Sequence, residues 1–524
     1  MAGSRQEEIW RMETWKRKVR HVLEYVEAAA ASHPAHIAFA DERTEITYRE
    51  LARQAADLGY QIHRRIPGIR QPIIVFMEKC VECLVSFFGV AASGNFYVCM
   101  DHRMAPERIR KILDHLHPAA VLVKNKRAGE LFSDCPVLEF QELLCAETGR
   151  DKAAVLREIR GRLIDADPLY VLYTSGSTGV PKGSVISHRS VIDYAQWLSG
   201  TFHFDHTTVF ASQTPFYFSM SVLDLFSTVC NAATLQIVPQ KLFSFPVRLL
   251  EYLNEKKVNT IYWVPSALCA VADWKALDYV DVHGLRTILF AGEAMPAKQL
   301  NVWRSHLPDA LYANLFGPTE ITDIGLYYVL DRELKNDEAV PVGRPCENMD
   351  AFAITPDGSL ISQGETGELY FRGSFVGYGY YNSIEKTKEA FVQNPLQNAY
   401  PEIVYRTGDL VTLNANGEFV YLGRKDSQIK RHGYRIELGE IESAAGAYEK
   451  LERAVCTYDK AKDHLVLWYQ GKAEKEELLL FLKEYLPAYM LPDQMIPIRS
   501  VPLNANGKTD RLRLQQMYEE EEYV

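Results

Sequence analysis

Apolar and polar positions along the chain fall into distinct textures. From residue 72 to about 330, short apolar runs rich in β-branched and aromatic residues alternate with stretches of helical spacing. The runs are 72-PIIVFM-77, 119-AAVLV-123, 169-LYVLY-173, 207-TTVFAS-212, 234-TLQIV-238, 259-NTIYWVP-265, 286-RTILFAG-292 and 311-LYANLFG-317. Their length suits buried strands, and the alternation predicts layered, largely parallel sheets covered by helices. Upstream, residues 1 to about 65 read as amphipathic helices around a short hairpin, 37-IAFADERTEITY-48. Beyond 340, the segments 350-DAFAITPDGSL-360, 367-GELYFRG-373 and 416-NGEFVYLG-423 carry D-G and N-G turns and predict a β-rich region. After 424-RKD-426 a last piece mixes short helices and strands and ends in the charged 518-YEEEEYV-524.

A chain of 524 residues exceeds one comfortable core, so a division is expected near Asp426. It gives an N-terminal core over 1–425 and a smaller α+β domain over 426–524. The hydrophobic content of 47% and charged content of 24% are those of a globular protein, and a net charge of −10 gives no sign of nucleic-acid binding. Cys80 and Cys83 form a C-x-x-C pair inside 76-FMEKCVECLVSFFGV-90, with no second such pair nearby, so packing explains them better than metal or redox work. The N-terminal segment lacks the apolar core of a signal peptide, and the long apolar segment 83–100 is interrupted by Ser, Gly and Asn. A cytoplasmic protein without membrane association is the expectation.

The chemistry concentrates in 173-YTSGSTGVPKGSVISH-188. It lies between a strand-like run and 190-SVIDYAQWL-198, which has helical spacing, so strand, polar loop and helix are expected in that order. Glycines let a backbone approach an anion, N–H groups and hydroxyls donate to it, and lysine adds charge. The Walker A pattern is absent, because Pro181 stands five residues after Gly176. By composition alone this is an ordinary surface loop, and a phosphate cradle is the sharper alternative. Further along, 314-NLFGPTE-320 places an aromatic ring, a Gly-Pro turn and a carboxylate at the end of a predicted strand, where α/β proteins bind ligands. The stretches 405-YRTGDL-410, 423-GRKDSQIKRHGYRIELGEIE-442, 486-LPAYMLP-492 and 506-NGKTDR-511 follow.

In this order, over about residues 30–515, these motifs resemble the adenylate-forming superfamily of nonribosomal-peptide adenylation domains, acyl-CoA synthetases and luciferases. Within it, 213-QTPFYFSMSVLDLF-226 and 425-KDSQIKRHGYRIELGEIE-442 look most like the stand-alone D-alanine:carrier-protein ligases. The resemblance implies the acyl-adenylate synthetase fold, with a small mobile C-terminal domain. It also implies a two-step reaction with ATP and Mg²⁺: a carboxylate displaces pyrophosphate, then a thiol displaces AMP. Thr174, Ser175, Gly176, Ser177, Thr178, Gly179 and Lys182 would face the leaving phosphates. Gly292, Glu293, Asn314, Phe316, Gly317 and Thr319 would frame the nucleotide, with Phe316 stacking on adenine, and Glu320 would hold Mg²⁺. Asp409 would accept from the ribose hydroxyls with Arg424 assisting. Lys508 would bridge substrate carboxylate and α-phosphate, so that Lys508, Thr178, Lys182 and Glu320 form the catalytic set. Asp426 matches the hinge, about which the C-terminal domain would swing to remove Lys508 and bring 431-RHGYR-435 to the adenylate.

Amino-acid-activating relatives place an aspartate after the aromatic of 215-PFYFSMS-221, to pair with the α-ammonium; here Ser219 stands there. Carried over singly, the acid pocket would be Phe218, Ser219, Met220, Leu223, Tyr262, Leu289, Ala291, Leu315, Asp323 and Ile324, with Lys508 at the carboxylate end. Asp323 is either the displaced partner of an amine or a solvated, helix-capping residue. Cys99 replaces a common proline without an evident reason. No G-G-x-S carrier site follows residue 511, so the thiol is expected from a separate phosphopantetheinyl carrier protein or from coenzyme A. The function implied is activation and carrier loading of a small, amino-bearing acid. An acyl- or aryl-CoA ligase is the alternative, a non-catalytic scaffold a third, and a luciferase-like oxygenase has only the fold in its favour.

Overall fold

The protein is seen in a computed structural model that describes residues 19–125, 131–132, 135–175, 181–425, 428–502 and 509–521. Among these, two large sheets carry the N-terminal part. The larger has nine strands in the order Arg344–Pro345, Leu326–Val329, Leu311–Phe316, Thr287–Ala291, Thr260–Trp263, Val209–Ser212, Thr234–Ile237, Ile37–Ala40 and Glu45–Thr47. The run from Leu311–Phe316 to Ile37–Ala40 is parallel, and antiparallel strands close both edges. The second sheet has the order Val137–Glu139, Ala120–Val123, Pro72–Phe76, Phe96–Met100, Pro168–Thr174 and Lys182–Ser187. Strands such as Ala120–Val123 and Thr260–Trp263 are buried at every position, which is why they read as unbroken apolar runs.

One expectation is corrected. The chain after Pro181 does not pass directly into a helix: Lys182–Ser187 returns as a strand antiparallel to Pro168–Thr174, and the helix His188–Phe202 follows. Val185 and Ile186 suit a strand, and Ser187 caps the helix by accepting from the Ser190 N–H. The layout is therefore a hairpin rather than strand, loop and helix. Residues 176–180, including Gly176, Ser177, Thr178 and Gly179, lie outside the described residues.

The region after 340 is β-rich. Met349–Ile354, Thr366–Gly373, Ile403–Leu413, Phe391–Gln393 and Phe419–Arg424 form one antiparallel sheet. Beyond it, the hairpin Gln428–Arg431/Tyr434–Glu437, a sheet of Leu451–Asp459, His464–Gly471 and Gln494–Pro497, and the helices Leu438–Gly446, Lys475–Tyr485 and Arg511–Glu519 make a smaller unit. Its core of Ile436, Ile441, Leu465, Leu467, Leu478 and Leu482 is separate from the clusters under the large sheets. Asp426 and Lys508, the residues expected as hinge and bridging lysine, lie outside the described residues.

The C-x-x-C cysteines are buried, with Cys83 on the helix Val81–Ala92. Cys99, on the strand Phe96–Met100, is buried as well. No helix among the described residues is long and apolar enough to cross a membrane.

Candidate active site

A cavity of about 480 Å³ opens at the carboxyl ends of the parallel strands. One wall is made by Ala291, Gly292, Gly317 and Thr319, which leave the strands Thr287–Ala291 and Leu311–Phe316. Thr174 and Ser175, at the end of Pro168–Thr174, join them, with Phe218, Ser219 and Met220 from the segment before the helix Ser221–Cys230. Gly317 permits the tight packing: a Cβ there would lie 2.2 Å from the Asp323 carbonyl oxygen.

At one end, Asp409 and Arg424 sit opposite each other on paired strands and form an ion pair of 3.0 Å, with side chains 2% and 7% exposed. At the other, Asp323 is buried. Its Oδ2 accepts from Tyr194 Oη at 2.9 Å and Tyr262 Oη at 3.0 Å, and the nearby Ser219 hydroxyl also favours the carboxylate. Burial pushes the Asp323 carboxyl up to about 7, although these donors work against the shift. Thr322, immediately before it, has φ +73° although β-branched, and its Oγ1 donates to the Phe375 carbonyl. That strained backbone turns the chain so that Asp323 meets the cavity.

The smaller unit closes the remaining side. Its hairpin turn, His432–Gly433, reaches the strand ends: the Gly433 N–H donates to Glu293 Oε1 at 2.9 Å, while Glu293 Oε2 accepts from the Ser266 N–H. Gly433 has φ +77°, and a Cβ there would lie 2.4 Å from Val264 Cγ1, so only glycine fits. Arg435 forms a two-bond ion pair with Glu320, at 2.9 and 2.7 Å, and Tyr380 Oη donates to Glu320 Oε1 at 2.7 Å. Burial opposes ionisation of Glu320, but Arg435, Lys182 and Tyr380 outweigh it and bring the carboxyl down to about 2. Lys430 Nζ lies 4.5 Å from the centre of the Phe316 ring and covers that face. Ser175 Oγ donates to the Arg435 carbonyl, Arg108 pairs with Glu440, and Tyr434 stacks on Tyr489 at 3.9 Å.

The sequence-named residues divide clearly. Thr174, Ser175, Phe218, Ser219, Met220, Ala291, Gly292, Gly317, Thr319, Asp323, Ile324, Asp409 and Arg424 line the cavity. Phe316, Glu320 and Glu293 lie behind the docked hairpin. Lys182 lies 3.9 Å from Glu437, and burial lowers its pKa. Leu223, Leu289 and Leu315 are core residues, and Tyr262 reaches the site through Asp323. The Asn314 amide donates to the Pro341 carbonyl and is used within the fold. Sequence reasoning missed Tyr194, which reads as any apolar-face residue of its helix, and missed Lys430 and Arg435 as partners of Phe316 and Glu320.

A two-sheet α/β core with a second unit docked over the strand ends defines the class. The chain belongs to the AMP-binding enzyme family, whose model matches residues 26–381, and AMP-binding enzymes use ATP. It is 30% identical over 94% of its length to gramicidin S synthase 2 of Aneurinibacillus migulanus, of which it covers 11%. It is 31% identical over 94% of its length to the D-alanine--D-alanyl carrier protein ligase of Bacillus licheniformis, of which it covers 99%. The chain thus spans about a tenth of the first curated relatives it matches. Holo-PA1221, an NRPS protein containing adenylation and PCP domains, superposes with a TM-score of 0.80 at 21% identity, covering 94% of this chain and 84% of that one. The fold is that of the acyl-adenylate synthetases.

Proposed function

We propose that this enzyme activates a small amino-bearing carboxylic acid with ATP and passes it to the phosphopantetheine thiol of a separate carrier protein, acting in the cytoplasm. The observation that carries this reading is the continuity of the cavity. It joins the Asp409–Arg424 pair, the Ser219–Asp323 pocket and a slot lined by Met104, Tyr434 and Pro487–Tyr489. We assign the nucleotide, the acid and the thiol-bearing arm to those three groups of residues. In the first step a carboxylate oxygen bonds to the α-phosphorus and pyrophosphate leaves. In the second the thiol sulfur bonds to the acyl carbon, the thiol proton is lost and AMP leaves.

Placement supports the following roles. Asp409, fixed by Arg424, accepts from the ribose, and Thr174 Oγ1, buried without a partner among the described residues, is available to a phosphate. Lys182 adds positive charge beside it, and positioning with charge neutralisation does most of the work. Mg²⁺ when bound would neutralise phosphate charge, and Glu320 supplies the hard oxygen such an ion takes. Among the described residues no group of three acid, histidine or cysteine side chains could hold a metal alone, so the ion would rest on Glu320 and the nucleotide. Glu320 is bound to Arg435 in the arrangement seen, so it fits a metal only with Arg435 withdrawn. We place the docked hairpin in the second step, with 426–524 acting as a mobile lid and Lys508 serving the first step in another orientation. Isotope exchange between pyrophosphate and ATP across a panel of acids tests the first step, and loading of a holo carrier protein against coenzyme A tests the second. Exchange with no acid overturns the function; loading of coenzyme A alone overturns the carrier.

A further inference from the structure

Asp323 differs from the other acids of the cavity in its partners. Asp101 pairs with Arg103 at 2.9 Å and Asp409 with Arg424 at 3.0 Å. Asp323 has only hydroxyls around it: Tyr194 and Tyr262 donate to it, Ser219 lies near, and no lysine, arginine or histidine pairs with it among the described residues. Ser219 accepts from Thr319 Oγ1 at 3.3 Å. A carboxylate 1% exposed without a cation is costly to ionise, and the open side of this one faces the cavity. The buried Asp224 on the neighbouring helix adds negative potential at the pocket floor, set against Lys79. Met220, Ala291 and Ile324 give the walls an aliphatic character.

We propose that Asp323 is the counter-ion for an ammonium group on the substrate, so that the acid activated is a short aliphatic one bearing a primary amine. This rests on the ligase reading above and deepens it. The titratable groups that feel Asp323 are Tyr194, Tyr262, Tyr170, Asp224 and Cys346, and none carries a positive charge. The ammonium therefore supplies the charge that the protein withholds. With the pocket empty the carboxyl titrates near neutrality, and an ammonium partner draws it into the ionised form with release of a proton.

The test is pyrophosphate exchange with matched pairs, glycine and acetate, β-alanine and propionate, 4-aminobutyrate and butyrate, in the wild type and in Asp323→Asn. The wild type should prefer the amine of at least one pair. The variant should lose about a hundredfold or more of kcat/KM for that amine, mostly through KM, with the deaminated partner within a few-fold. In the wild type, KM for the amine should fall as pH rises through about 7, and the variant should lack that dependence. Calorimetry of wild type with the preferred amine, in buffers of different ionisation enthalpy, should show proton release near pH 7 without needing a variant. A wild type that exchanges only with deaminated acids overturns the inference and leaves the ligase standing. So does a variant that loses both members of a pair equally, or amine binding without proton release. No exchange with any acid removes the ligase reading and this inference with it.

Discussion

Asp323 should cost the protein stability that an amide would restore, and the cost should depend on pH. Burial raises its carboxyl from 3.8 to about 7 in the folded protein. Between those values the native state keeps a proton that the unfolded chain has released, so stability falls as pH rises through that window and the full penalty is present above about 7. A shift of about three units at 1.36 kcal/mol each sets the penalty at about 4 kcal/mol. Asparagine keeps the shape and the hydrogen bonds: its oxygen can accept from Tyr194 and Tyr262, and its amide can donate to Ser219. Asp323→Asn should gain only about 1 kcal/mol over the wild type near pH 4.5 and become more stable by several kcal/mol at pH 8. Urea unfolding across that range, followed by the buried Trp263 and Trp303, reads the difference. A difference that stays constant with pH, or shrinks as pH rises, refutes the assignment of Asp323 as an unpaired buried acid.

Two further outcomes are expected. Arg435→Ala leaves Glu320 buried without its cation, a loss of about 3–5 kcal/mol for the docked arrangement; proteolysis after Lys425 should accelerate at least tenfold and thiol loading should fall, and an unchanged cleavage rate refutes the role of the pair. Lys508→Ala should abolish pyrophosphate exchange while sparing thiol transfer from a supplied acyl-adenylate, and Asp426→Pro, which fixes φ near −65°, should do the reverse; equal loss of both half-reactions in either variant contradicts the division of labour.

How much could be read in advance follows from the range of the forces involved. The runs at 72–77, 119–123 and 286–292 announce strands because a parallel sheet buries both faces, and that requirement is written locally. Lys182–Ser187 escapes because its pairing is set by a partner strand on the far side of the turn. Within the site, Gly317 and Thr319 follow from a strand end, but Leu289 and Leu315 lie one rung too deep to meet the cavity, a matter of depth that alternation cannot report. Arg435 and Glu320 are 115 positions apart, and nothing in either neighbourhood names the other. The left-handed turn at His432–Gly433 is visible as a glycine, whereas the strain at Thr322, which aims Asp323, has no compositional mark.

If Glu320 takes Mg²⁺ as proposed, its pairing with Arg435 ties the posture of the protein to its ionic surroundings. Both Glu320 oxygens accept from Arg435 in the docked arrangement, so under the proposed function guanidinium and metal ion compete for one carboxylate. By linkage, whatever factor a docked hairpin takes from the affinity of Glu320 for a cation, that cation takes from docking. On that reading magnesium nucleotide is more than a reactant: its concentration would set the resting balance between the docked form and one with Arg435 withdrawn, before any acid arrives. Solution scattering at rising magnesium nucleotide should register that balance as a change in molecular dimensions, in wild type and not in a chain lacking Arg435.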